Sequence, residues 1–112
     1  MPRLVTDEMI EAAFDYLNDE DKEAAQVFAD AVIAEARRKA TRARLVLQSK
    51  EKTQGLREAD ADSHPDLAAA YVIEAQTVKA VEWHRRQKSR AEAAIETWRS
   101  EQANRRNLSR VA

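Results

Sequence analysis

Residues 63–107 read SHPDLAAAYVIEAQTVKAVEWHRRQKSRAEAAIETWRSEQANRRN, and this stretch decides the fold. It contains no glycine and, after Pro65, no proline, so no residue in it breaks a helix. Ser63-His64-Pro65-Asp66 fits a capping box with proline in the first turn. We predict one helix over residues 64–107, about 44 residues and about 66 Å long. Such a helix cannot bury its own apolar side chains, so its packing partner defines the protein.

The composition is typical of long helices and not of a thick globular core. The chain has 112 residues, of which 44% are hydrophobic, 35% charged and 5% aromatic, with 22 alanines and one glycine. These values favour a coiled-coil-like, all-α protein with a single domain. The absence of cysteine excludes disulfides and thiolate metal sites. No apolar run reaches the length of a membrane span, and the first residues lack a signal-peptide hydrophobic region, so we expect a cytoplasmic protein without a membrane partner.

Two further helices are expected before this stretch. Thr6 is a suitable N-cap for a helix over residues 7–16. Leu17-Asn18-Asp19 predicts a break before a second helix over residues 19–53, although the break could be only a kink. Gly55 suits a left-handed C-cap, and residues 54–63 are predicted as a loop.

Apolar residues recur at helical spacing along both long helices. In the second helix their mean spacing is about 3.67 residues, which predicts straight or weakly right-handed packing. That stripe consists of Ala25, Phe28, Val32, Ala36, Ala40, Ala43 and Leu47. The stripe of the third helix consists of Leu67, Tyr71, Ala75, Val78, Val81, Ala91, Ala94, Ile95 and Trp98.

Charge alternates in blocks along the chain and predicts how the helices pair. Residues 1–36 and 59–78 are acidic, whereas residues 37–58 and 79–112 are basic, and the net charge is only −1. A long antiparallel helical hairpin would lay each acidic block beside a basic one. Its alanine-rich core would be small, so we predict a homodimer forming a four-helix bundle. A monomeric three-helix bundle is the alternative.

No pattern in the sequence indicates catalysis. Residues 60–64 resemble the start of a calcium loop, but the glycine and the bidentate glutamate that such a loop requires are missing. His84 has no second metal ligand at its helical neighbours, and no phosphate loop or nucleophile–histidine arrangement is present. We expect a protein that is not an enzyme and needs no cofactor.

Two charged surfaces are candidates for binding. The basic one combines cations with tryptophans, a pattern that suits a protein partner or single-stranded nucleic acid. It comprises Trp83, His84, Arg85, Arg86, Lys88, Arg90, Trp98, Arg99, Arg105 and Arg106. Alternatively, these charges pair internally and the tryptophans only pack. A second basic cluster covers residues 37–44. The candidate acidic surface comprises Asp15, Asp19, Glu20, Asp21 and Glu23, with a merely solvated face as its alternative.

The segment from Ala91 to Arg106, together with Glu82-Trp83 before it, resembles the C-terminal part of small uncharacterised helical phage and prophage proteins encoded near recombination genes. Trp83, Ile95, Trp98 and Arg99 are the matching positions. The resemblance implies a phage-type accessory role in a bacterial host cell and no defined activity. We therefore expect binding to a nucleic-acid-handling complex in recombination, nuclease or anti-defence processes. Direct DNA binding and a structural coiled-coil adaptor are the alternatives.

Overall fold

The structure, a computed structural model, describes residues 5–111, and the side chains of residues 19–21 and 111 lie outside that description. The described chain forms three α-helices: α1 is Asp7–Gln48, α2 is Gln54–Asp62 and α3 is Pro65–Val111. This confirms the predicted all-α hairpin of long helices. The chain divides into two compact units. Residues 1–24 and 83–112 form the first unit, and residues 25–82 form the second.

α1 is one continuous helix, so the predicted break at Leu17-Asn18-Asp19 is wrong. Thr6 does cap the helix, because its Oγ1 accepts a hydrogen bond from the backbone N–H of Met9 at 3.2 Å. Leu17 packs against a buried cluster in the first unit. Asn and Asp disfavour helix interiors by less than about 1 kcal/mol each, so packing overrides their preference.

The predicted loop over residues 54–63 contains helix α2, and α1 ends at Gln48, earlier than the predicted residue 53. Thr53 is the N-cap of α2, with extended backbone and with its side chain accepting a hydrogen bond from Leu56 N–H at 3.3 Å. Gly55 lies in the first turn of α2 and has no positive φ, so the predicted C-cap role is wrong. The strong helix formers that follow the glycine continue the helix.

α3 begins through a different cap from the one predicted. Ser63 is the C-cap of α2. His64 caps α3 instead, because its Nδ1 accepts a hydrogen bond from the N–H of Asp66 at 3.0 Å. Ala61 and Leu67, on either side of this turn, are both buried with Leu45 of α1. The connection between α2 and α3 is therefore a short, packed turn.

In the second unit, the face of α1 that packs on α3 follows a heptad repeat and not the predicted eleven-residue repeat. Positions at alternating steps of three and four are buried or half-buried, the pattern of a coiled-coil seam. They are Val27, Ala31, Ala34, Arg38, Thr41 and Leu45. The predicted stripe is exposed, with Val32 68% and Leu47 82% accessible. The prediction failed because α1 carries two apolar stripes, and the one with smaller and polar residues faces α3.

α3 shows the same spacing in the second unit. Its buried and half-buried positions at this spacing are Leu67, Ala70, Glu74, Thr77 and Val81, and Ala80 beside them is half-buried as well. The prediction was right for Leu67 and Val81, whereas Tyr71, Ala75 and Val78 are exposed. Residue numbers fall on α3 as they rise on α1, as the Leu45–Leu67 and Arg38–Glu74 contacts show. The two helices are therefore antiparallel here.

The first unit has its own small core between the start of α1 and the second half of α3. Ala13, Ala91 and Ile95 are buried together, with Tyr16, Leu17 and Ala94 packed around them. Nearer the N-terminus, the backbone N–H of Val5 donates a hydrogen bond to Glu101 Oε1 at 3.3 Å. The helices are antiparallel in this unit too, as predicted.

Candidate interaction surfaces

The basic cluster of α1 is paired within the second unit. The guanidinium of Arg42 donates to Asp62 at 2.8 Å, and Arg44 lies 3.5 Å from Asp66. The hydrogen bond from Arg42 lowers the pKa of the Asp62 carboxyl, and the same bond raises the pKa of Arg42. This confirms the expected pairing of residues 37–58 with residues 59–78. Much of the positive charge in this cluster is therefore paired with carboxylates of the same chain.

Arg38 is the most enclosed member of that cluster. Its Nε donates to the carboxylate of Glu74, and both side chains are about four-fifths buried, with 19% and 21% of their surface accessible. The guanidinium carbon also lies 5.1 Å from the centre of the Tyr71 ring, a cation–π contact. The hydrogen bond with Glu74 raises the pKa of Arg38. Arg38 therefore acts as a structural link between α1 and α3.

On the predicted basic surface of α3, His84 is an exception, because only 7% of it is accessible. The hydroxyl of Tyr16 donates to the backbone carbonyl of His84 at 3.1 Å and lies 3.2 Å from Nδ1 of its ring. With its proton donated to the carbonyl, the hydroxyl oxygen can accept a hydrogen bond from Nδ1 in the tautomer that carries the proton there. His84 is thus a buried seam residue, and its predicted place on the binding surface is wrong. The physical reason is its heptad position, which turns the ring toward α1.

The neighbours of His84 are at the surface. Trp83 is 53% accessible and meets the His84 ring edge-on at 4.9 Å between centroids. Arg85, Arg86 and Lys88 are also exposed, but each takes part in an interaction within the molecule. These three cations therefore already interact with other groups of the same chain.

Three arginines near the end of α3 are exposed and have no ion pair among the described residues. Arg99, Arg105 and Arg106, which we name the C-terminal basic group, are exposed. None of them forms an ion pair with a residue that the structure describes. Arg99 and Arg106 line a shallow groove together with half-buried Trp98 and Gln102. The groove therefore places two guanidinium groups beside an aromatic side chain. Arg90 is exposed as well and borders a second groove, beside Tyr16 and Ala94.

The predicted acidic surface is only partly described. Asp15 and Glu23 are exposed on α1. The side chains of Asp19, Glu20 and Asp21 lie outside the described part, so their prediction is not tested.

The surface that sequence reasoning missed is apolar. Large apolar side chains are exposed along both helices of the second unit: Phe28, Val32, Ile33 and Leu47 on α1, and Tyr71, Val72, Ile73 and Val78 on α3. The sequence of α1 did indicate this surface, because it contains two apolar stripes, one with a mean spacing of 3.5 residues and one with 3.67. Only one of these stripes can face α3. The other is left at the surface.

Among the residues whose side chains are described, no group of His, Cys, Asp or Glu is arranged to hold a metal ion. No helix in the described ranges has the length and apolar character needed to cross a membrane. Comparison with protein-family models finds no match. Neither a curated protein nor a solved structure matches the chain. The class defined by fold and surface is an all-α helical hairpin with exposed apolar helix faces.

Proposed function

We propose that this chain is a non-enzymatic protein-binding module that packs exposed apolar helix faces against other protein surfaces. The observation that supports this most is the distribution of large apolar side chains in the second unit. Large apolar side chains are not confined to the seam between α1 and α3, because Val32, Leu47 and Val78 are more than half accessible. Large apolar side chains that are exposed at helical spacing along a helix face favour an interaction site there.

One exposed face of α3 in the second unit suits a protein partner of different sequence. We name it the α3 apolar face: Tyr71, Ala75 and Val78, which recur at steps of four and three and are all exposed. Its aromatic residue is held by the guanidinium of Arg38 at 5.1 Å, so little side-chain freedom would be lost on binding. Tyrosine and arginine are frequent centres of interface energy. An amphipathic helix or an apolar groove on the partner would fit this face.

The kind of partner is suggested by the resemblance in residues 82–106 to phage and prophage accessory proteins. It points to a recombination, nuclease or defence complex in a bacterial cell, and this stays a prediction. A phage-type adaptor needs no catalytic residues of its own. Its specificity would lie in the shape and charge of its helix faces.

Quantitative capture in the source cell tests this proposal. The tagged wild-type chain is compared with Val78→Glu and with a control, Glu92→Gln, at an exposed position of α3 in the other unit. We expect Val78→Glu to lose a specific partner that wild type and Glu92→Gln both retain, with the helical circular dichroism signal unchanged in all three. The same proteins captured by all three variants, or none by wild type, would contradict the proposal.

One observation favours a second candidate function, single-stranded nucleic-acid binding. The C-terminal basic group lies beside Trp98 in a shallow groove, without ion pairs to described residues. Cations with an adjacent aromatic ring could hold phosphates and stack a base. This candidate uses the first unit only, so both functions could reside in one chain.

A further inference from the structure

A shallow groove of about 300 Å³ lies between α1 and α3 on one side of the second unit. On α1 it is lined by Arg37, Thr41 and Arg44, which follow one another at steps of four and three and so share one face of that helix. Most of its α3 side is apolar, with Ala69 and with Ile73, which is 54% accessible. We name it the basic groove, because it sets hydrogen-bond donors on one helix against an apolar surface on the other.

The two arginines of the basic groove are less well paired than their neighbours on α1. Arg37 is exposed and forms no ion pair with a described residue. Arg44 reaches Asp66 only at 3.5 Å, and both of these side chains are more than half accessible. Arg42, on another face of α1, donates to Asp62 at 2.8 Å. Positive charge that the chain itself does not neutralise therefore faces the groove.

Thr41 adds a third donor between the two arginines. The residue is half-buried, and its hydroxyl forms no hydrogen bond with a described residue. By contrast, the hydroxyl of Thr77 on α3 donates to the backbone carbonyl of Glu74 at 2.7 Å. A hydroxyl that does not bond to its own helix can donate to a bound group.

We propose that the basic groove binds an acidic amphipathic helix of another protein. Carboxylates of that helix accept hydrogen bonds from the Arg37 guanidinium and the Thr41 hydroxyl, and its apolar side chains cover Ile73. Charge complementarity selects this occupant, because guanidinium groups recognise carboxylates through paired N–H donors. The shape agrees, since a third helix can lie along the trough between two antiparallel helices. The inference rests on the proposed function, because it names the partner class for a second protein-binding surface.

Nucleic acid would fit the same groove poorly. Asp66 lines one end of it, and its carboxylate repels a phosphate backbone. An amphipathic helix avoids this repulsion by placing a neutral or basic residue at that end. None of the described residues that line the groove is aromatic, so no ring is available there to stack a base.

Selection of displayed peptides on the purified full-length chain tests the proposal. The probe is a library of helical peptides randomised along one face. We expect the selected peptides to combine Asp or Glu with Leu, Ile or Met on that face. Fluorescence anisotropy with a labelled selected peptide then measures affinity, which should fall roughly tenfold in Arg37→Gln, the effect of one lost charge-assisted hydrogen bond.

Two further variants show whether the loss is specific to the groove. Lys39→Gln is the matched control, because it removes a cation two residues away that pairs with Glu35, and it should bind the peptide as wild type does. Thr41→Val keeps the shape of the side chain and removes only the hydroxyl, so it should weaken binding. Circular dichroism should show the same helicity for all of these proteins.

Selected peptides without an excess of acidic residues, equal affinities of Arg37→Gln and Lys39→Gln, or no selected peptide at all would overturn the proposal. An oligonucleotide that displaces the peptide and loses affinity in Arg37→Gln would also overturn it, because the groove would then bind nucleic acid.

The proposed function can fail or hold separately from this inference. Val78 lies about 140° around α3 from Ile73, so Val78→Glu does not alter the basic groove. Loss of a captured protein in Val78→Glu, with no acidic peptide selected, would remove the groove site and retain the proposed function. Acid-dependent peptide binding with unchanged capture by Val78→Glu would retain the groove site and remove the α3 apolar face.

Discussion

Arg38 and Glu74 join α1 to α3 within a seam whose other members are apolar residues and threonines. Their side chains are about four-fifths buried, and the guanidinium also covers the Tyr71 ring. A paired charge at a heptad seam sets the register of the two helices, because a shifted register would leave both charges buried and unpaired. The pair thereby fixes which apolar side chains remain at the surface.

Removing one partner of this pair should therefore be worse than removing both. We expect Arg38→Leu to lower the midpoint of thermal unfolding, because Glu74 then lacks its partner. The double variant Arg38→Leu with Glu74→Leu should regain the midpoint or exceed it. Circular dichroism during heating gives both values. Additive losses in the double variant would show that the pair does not act as a unit.

The Tyr16 hydroxyl should stabilise the first unit. Tyr16→Phe removes the hydrogen bond to the His84 carbonyl at 3.1 Å and the contact of the hydroxyl with Nδ1 of the ring at 3.2 Å. We expect a loss of about 1 kcal/mol in the free energy of unfolding, measured in urea. Tyr71→Phe is the control, since Tyr71 is exposed and should change the free energy little. Equal effects of the two substitutions would argue against the Tyr16–His84 contact.

Gly55 distinguishes the observed helix α2 from the loop expected from sequence. The glycine is helical, its φ is negative, and a Cβ added there would meet nothing within 4 Å. We expect Gly55→Ala to raise the free energy of unfolding by about 0.5–1 kcal/mol, since alanine loses less backbone entropy on folding. A left-handed C-cap at this position would give destabilisation instead.

Single-stranded DNA binding, if present, should depend on the C-terminal basic group. Replacing Arg99, Arg105 and Arg106 together by Gln should weaken binding, and the slope of log K against log salt should fall by about 2 for three lost phosphate contacts. Fluorescence anisotropy with a labelled oligonucleotide measures both. Arg42→Gln is the control, because that side chain is engaged by Asp62. Absence of wild-type binding in about 50 mM salt would exclude this function.

The sequence predicted the hairpin because two long segments without breakers and with alternating charge blocks leave few other arrangements. It located Ala91 and Ile95 in the core and the Arg42–Asp62 region as a paired interface. It failed where local preferences competed with packing, as at Leu17-Asn18-Asp19, and where a glycine could either end or begin a helix.

The candidate site was harder to predict than the fold. Spacing alone does not tell which of two apolar stripes on α1 faces α3, because both contain enough alanine to pack. The choice depends on the partner helix, where Glu74 requires Arg38 opposite it. The burial of His84 has the same origin, since only the register of α3 against α1 turns its ring toward Tyr16.

The central claim is that the exposed apolar faces of the second unit are protein-binding surfaces. Site-specific photo-cross-linking in the source cell tests it most directly, with the reactive group placed at position 78 on the α3 apolar face or at the exposed position 92 on the same helix. The proposal predicts a discrete covalent adduct to another protein from position 78 and none from position 92. No adduct from position 78, or the same diffuse set of adducts from both positions, would contradict it.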